Sequence, residues 1–157
     1  MNQNDFCWMQ RGKHLAILTT QDKNLVCGIN QYGPGRKKAL LLLHGFSSSP
    51  AVFHLLLPHL TEYDAIIAPA LPGHGEDLNA FAKATAVDWL TTAEQQCATL
   101  CRNYSAVDVL GLSLGGIIAC HLSHHFSLHH LYLLAPAFDL KLYLPIILPL
   151  AKILRCL

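Results

Sequence analysis

At 157 residues, with 52% hydrophobic and only 13% charged side chains, the chain has the apolar content for one domain with a true core, which argues against disorder. A formal net charge of +1 supplies no field for nucleic acid and disfavours that class of partner. Residues 1–157 therefore read as a single domain.

Met1 to Lys13 mixes Asn, Gln, Asp and aromatic residues. It lacks the basic region followed by an apolar stretch that marks a signal peptide, and the expected location is cytoplasmic. His14–Thr20 and Leu25–Gln31 read as a hairpin pair around the turn-forming Gln21-Asp22-Lys23-Asn24. After the break at Gly33-Pro34-Gly35, Lys38–His44 is a short apolar strand, and a helix is expected from Pro50 to about Leu60. Ala65–Pro69 reads as a buried strand that ends in the loop Leu71-Pro72-Gly73-His74-Gly75. Thr85-Ala86-Val87-Asp88 fits a capping box, and the helix it opens carries Trp89, Leu90, Ala93, Cys97, Leu100 and Cys101 at helical spacing. Val107–Leu112 is the next strand, Leu114–His125 a helix and Leu128–Pro136 a further strand. Strands alternating with helices imply an α/β architecture: a three-layer, mostly parallel sheet of about six strands with helices on both faces.

Gly111-Leu112-Ser113-Leu114-Gly115 falls between the strand and the helix. It has the form G-x-S-x-G, a sharp turn that exposes a serine Oγ, with glycines where β-carbons would not fit. His44-Gly45-Phe46 follows the strand that begins at Lys38, and Pro72-Gly73-His74-Gly75 follows the next one. The Phe46 and Leu114 amides are candidate oxyanion donors, the latter at a helix N-terminus that favours negative charge.

With HGF, LPGHG and GLSLGG in this order, the chain resembles the α/β-hydrolase fold, most nearly its carboxylesterase and monoglyceride-lipase-like branch, grouped with serine aminopeptidase-like hydrolases. The resemblance implies Ser113 as nucleophile, with Phe46 and Leu114 forming the oxyanion hole. His44, Gly45 and His74 stand near the expected mouth of the site and are candidate substrate contacts. In that family such histidines usually shape loops, and His44 or His74 as base is the lesser alternative. Leu131–Ala137 would be the sixth strand, after which a lid normally inserts. In that family the acid and the histidine come later still. Here Asp139 is the only acidic residue after Ser113, and no histidine follows it. Asp139 is a candidate acid, or else a loop aspartate leading into a lid. The expected fold is accordingly a truncated α/β-hydrolase, with 140–157 as the start of a lid-like segment.

His121, His124 and His125 lie on the helix that leaves Ser113, and by His125 it has travelled about 18 Å. His129 and His130 open the next strand at the opposite end of the sheet. These five read as solvated or packing histidines. The six cysteines read as reduced core thiols, and no CxxC or HExxH spacing is present, so neither metal nor cofactor is expected. The tail Leu140–Leu157 is apolar but is interrupted by Pro145 and Pro149 and carries Lys141, Lys152 and Arg155. It does not read as a transmembrane span. It would expose an apolar patch beside an open sheet edge, a route to self-association. The function implied is hydrolysis of a small-molecule carboxylic ester, with the base missing from the chain. The alternatives are a non-catalytic remnant or binding module, and one half of a split enzyme completed by a second polypeptide.

Overall fold

The computed structural model describes residues 26–74 and 78–138. The expected first strand at His14–Thr20, Gly75, the candidate acid Asp139 and the tail lie outside the described residues. Within them, five strands form one sheet in the order β1-β3-β2-β4-β5. They are β1 (Ile29–Tyr32), β2 (Lys38–Leu43), β3 (Ala65–Ala68), β4 (Ala106–Leu112) and β5 (His130–Leu134). Only β1 runs antiparallel, and its described partner is β3, with Ile29 opposite Ala68. All other pairings are parallel.

The strand β2 is apolar throughout because both of its faces are covered. Ala39, Leu41 and Leu43 join a core with Cys97, Leu100, Ile118, Ala119 and Leu122. The alternate residues Leu40 and Leu42 pack on the other face with Ile29, Phe53 and Ile66. The first core is roofed by two helices, α2 (Ala86–Asn103) and α3 (Leu114–His125). A shorter helix, α1 (Leu78–Lys83), precedes them in a stretch to which the sequence assigned no element. The connection from β2 to β3 crosses one face, and those from β3 to β4 and from β4 to β5 cross the other. Leftward and rightward right-handed crossovers require this division.

Two local expectations meet different outcomes. Thr85 caps α2 as a full box: its Oγ1 accepts from the Asp88 amide at 3.2 Å, and the Asp88 carboxylate accepts from the Thr85 amide at 2.8 Å. The helix expected over Pro50–Leu60 is instead two 3₁₀ turns, Pro50–Phe53 and Leu57–His59. Pro58 has no N–H to give to the fourth carbonyl back, which breaks the α pattern. The chain uses i→i+3 bonds there instead, such as the His59 amide to the Leu56 carbonyl at 2.9 Å.

Cys97 is fully buried and Cys101 partly so, and burial, with Cys101 beside it, pushes the Cys97 thiol up to about 12. It is an inert core thiol. Among the described residues no helix is long and apolar enough to cross a membrane.

Candidate active site

The β2–β3 connection leaves the sheet to one side and the β4–β5 connection to the other, so the gap between neighbouring β2 and β4 is a topological switch point. Ligands of open α/β sheets bind there, beyond the carboxyl ends of the strands. The register places Leu43 opposite Gly111, so the loops that follow β2 and β4 emerge side by side.

Ser113 stands in that gap as the residue before α3, with φ 54° and ψ −113°. Positive φ at a non-glycine residue is strained and persists only where the surroundings dictate it. Here they do. The Ser113 amide donates to the Leu134 carbonyl at 2.9 Å, and its carbonyl accepts from the Gly116 and Ala137 amides at 3.0 and 3.3 Å. A β-carbon at Gly115 would collide with the Leu43 carbonyl, and one at Gly111 with the Gly115 backbone. Strand and helix can meet at this angle only because both positions lack one. Strain recurs in the neighbouring loops, at Ser47 with φ 53° and Ala135 with φ 43°.

The other loops close on the serine. A β-carbon on Gly45 would stand 3.2 Å from that of Ser113, so the His44-Gly45-Phe46 loop lies directly against it. Among the described residues neither the Phe46 nor the Leu114 amide N–H has a hydrogen-bond partner. The Phe46 ring is exposed and meets His74, Phe81 and Trp89 edge-on, with centroids 6.2, 5.0 and 6.1 Å away. The Trp89 indole donates to the Pro72 carbonyl at 3.0 Å, tying α2 to the loop after β3.

The two histidines at the mouth are buried rather than open to substrate. His44 Nε2 accepts from the Leu71 amide at 3.1 Å and Nδ1 faces the Gly45 carbonyl at 3.0 Å. Burial, with His74 nearby, lowers its pKa to about 4. It is a neutral imidazole with both nitrogens engaged inside the protein. His74 is 3% exposed, with Nδ1 on the Pro72 carbonyl at 3.3 Å and Nε2 buried without a partner among the described residues. Burial also lowers its pKa. Among the described residues Ser113 Oγ makes no hydrogen bond to any histidine. On α3, His121 pairs with Glu94 at 2.6 Å.

One cluster has no counterpart in the sequence reading. Asp108, inside β4 and fully buried, holds the Tyr63 hydroxyl at 2.8 Å and the Lys38 ammonium at 3.2 Å on Oδ2. Its Oδ1 receives His129 Nδ1 at 2.9 Å and His130 Nδ1 at 3.2 Å. Burial alone would raise this carboxyl, but the hydrogen bonds from Tyr63, His129 and Lys38 outweigh it and hold the group below the ordinary carboxylate range. The cluster lies toward the amino ends of β4 and β5, away from Ser113.

The alpha/beta hydrolase family model matches residues 40–155, and the chain belongs to that family. It is 29% identical over 98 residues to a thermostable monoacylglycerol lipase of a Bacillus species, covering 60% of this chain and 38% of the relative. It is 34% identical over 109 residues to a pimeloyl-(acyl-carrier protein) methyl ester esterase of Aeromonas hydrophila, covering 68% and 40%. Among solved structures, a study of LipS and LipT, two metagenome-derived lipolytic enzymes, supplies one with a TM-score of 0.68 at 22% identity, covering 74% of this chain and 48% of that one. The chain thus spans about two fifths of the length of these curated relatives.

Proposed function

We propose that Ser113 is the nucleophile of a serine hydrolase acting on small carboxylic esters, with the Phe46 and Leu114 amides binding the oxyanion. The observation that carries this reading is the strained Ser113 backbone beside the Phe46 and Leu114 amides, which have no hydrogen-bond partner among the described residues. Attack on an ester carbonyl would place negative charge on its oxygen. Two preorganised amides, one at a helix N-terminus, are suited to receive it. The names of the relatives, a monoacylglycerol lipase and a methyl ester esterase, support esters as the substrate class.

A serine hydroxyl needs a positioned base. In this proposal the base comes from outside the described residues, from further chain or a second polypeptide, and Asp139 is kept only as a candidate acid. Gly45 stays in the wall of the oxyanion loop, whereas His44 and His74 become positioning residues rather than substrate contacts. The second reading, a binding module that keeps the pocket without catalysis, is favoured by the absence of any histidine on Ser113 Oγ among the described residues.

A thiol in place of the hydroxyl tests the site without needing the base, because a thiolate forms unaided and a helix N-terminus favours it. The Ser113→Cys protein, treated with p-nitrophenyl acetate, should be acetylated at position 113 at least about tenfold faster than at any native cysteine, as mapped by peptide mass spectrometry. Acylation no faster than at the exposed Cys27 would overturn the nucleophile assignment.

A further inference from the structure

We propose that Asp108, His129 and His130 form a binding site for a divalent first-row transition-metal cation, with zinc as the probe. One carboxylate oxygen and two imidazole nitrogens, one from each of the three side chains, lie within 4.8 Å of one another. Two imidazoles and one carboxylate form a donor set suited to zinc, cobalt or nickel and not to calcium or magnesium. Metal–ligand bonds of about 2.0–2.1 Å at tetrahedral angles put neighbouring donor atoms about 3.3 Å apart. The two Nδ1-to-Oδ1 separations, 2.9 and 3.2 Å, already approach that edge.

The supports are rigid. The His129 amide is bonded to the Val107 carbonyl at 2.8 Å, and His130 pairs with Asp108 across β4 and β5. The Tyr63 hydroxyl fixes Oδ2, leaving Oδ1 turned toward the two rings. Such outer contacts orient ligands in metal sites. Lys38 opposes a cation, but it lies on Oδ2 and also reaches Glu62 at 3.5 Å, a second carboxylate able to take its charge. Both histidines are half-exposed, which gives the ion a path and leaves a coordination position for water.

A carboxylate only accepts, so each neutral ring presents Nδ1–H to Oδ1 in the metal-free protein. On binding, that proton moves through solvent to Nε2 of the same ring, and Nδ1 donates its lone pair to the cation. No oxidant or other reactant is needed. The bound ion would clamp the edge strand β5 onto β4.

Isothermal titration of the chelator-stripped full chain with zinc chloride tests the site. The expected result is one equivalent bound, with visible absorption bands of a low-coordinate ion when cobalt replaces zinc. His129→Gln and His130→Gln should each weaken zinc at least about tenfold. Glutamine can still donate to Oδ1, and thermal unfolding without metal checks that each variant folds. The variant His121→Gln/His124→Gln/His125→Gln should bind as the parent does. No saturable binding, binding unchanged in His129→Gln/His130→Gln, or binding lost only with the α3 histidines would each overturn the proposal.

Discussion

The Leu71 amide donates a 3.1 Å hydrogen bond to His44 Nε2, joining the loop after β3 to the loop after β2. An acceptor nitrogen carries no proton, so the ring must be neutral for this bond to exist. Its other nitrogen, Nδ1, then donates to the Gly45 carbonyl and fixes the turn that carries Phe46. His44 thereby ties the loop that carries Phe46 to the loop after β3.

The sign of its pH effect follows. The His44 pKa falls from an ordinary 6.5 to about 4 in the folded protein, chiefly through burial. Between these values the unfolded chain binds the extra proton and the folded chain does not. The contribution is therefore fully present above pH 6.5 and is lost as the pH falls toward 4. At 1.36 kcal/mol per unit the loss amounts to roughly 3 kcal/mol. Urea midpoints measured from pH 7 to pH 4 should fall steeply for the parent and less steeply for His44→Gln. Parallel curves would show that His44 is not the titrating group.

The strained serine makes a second prediction, about stability bought at the expense of chemistry. Glycine adopts φ 54° without a clash, and strain at a non-glycine residue costs on the order of 1–3 kcal/mol. Ser113→Gly should therefore raise the unfolding free energy by about 1 kcal/mol after the entropic cost of glycine, while Ser113→Ala leaves it nearly unchanged. Equal denaturant midpoints for the two variants would remove the claim of stored strain.

The opposite substitution at a neighbour should be damaging. In Gly115→Ala the new methyl would meet the Leu43 and His44 carbonyls, which belong to the end of the central strand β2 and cannot withdraw. Over-packing of this kind costs about 1–3 kcal/mol and sometimes more. Thermal unfolding should show that loss. A fully stable Gly115→Ala would mean that α3 can slide away from the sheet.

Much of this site was legible because its causes are local. G-x-S-x-G encodes its own steric requirement, so the turn at Ser113 and α3 from Leu114 to His125 follow from adjacent residues. Thr85 and Asp88 form their box within one turn of chain. What escaped notice depends on distant partners. That His44 can shape its loop is legible from its place in the motif, but its partner Leu71, 27 residues away, is not. Asp108 was an isolated acid inside an apolar strand, a signal that a buried partner must exist. Nothing along the chain says that Lys38, Tyr63, His129 and His130 converge on it. The antiparallel β1–β3 pairing is likewise a long-range contact that turn signals near Leu25 do not specify.

Turnover offers a fourth outcome. With no histidine on Ser113 Oγ among the described residues, the chain alone should hydrolyse p-nitrophenyl acetate at no more than about 10³ times the spontaneous rate, the residue left by an oxyanion hole and binding. Ser113→Ala should change that rate little. Rapid hydrolysis abolished by Ser113→Ala would mean that a local histidine acts as base, and His74→Ala, which removes a buried Nε2 with no partner among the described residues, would then identify it.

The open edge of the sheet leads to the last prediction. β5 pairs with β4 on one side, and among the described residues nothing pairs with it on the other. Tyr132 and Leu134 on this strand and Phe138 just beyond it are exposed, 41%, 46% and 62% respectively, so the unpaired backbone is flanked by apolar surface. Such an edge is a template for another strand, and burying its side chains is worth about 25 cal/mol per Å². The purified chain should therefore self-associate in a concentration-dependent way, visible by light scattering. A lysine on an edge strand opposes pairing, so Leu134→Lys should shift the population toward monomer without lowering the thermal midpoint. A parent protein that stays monomeric at high concentration would show that this edge is already covered, and the self-association reading would fail.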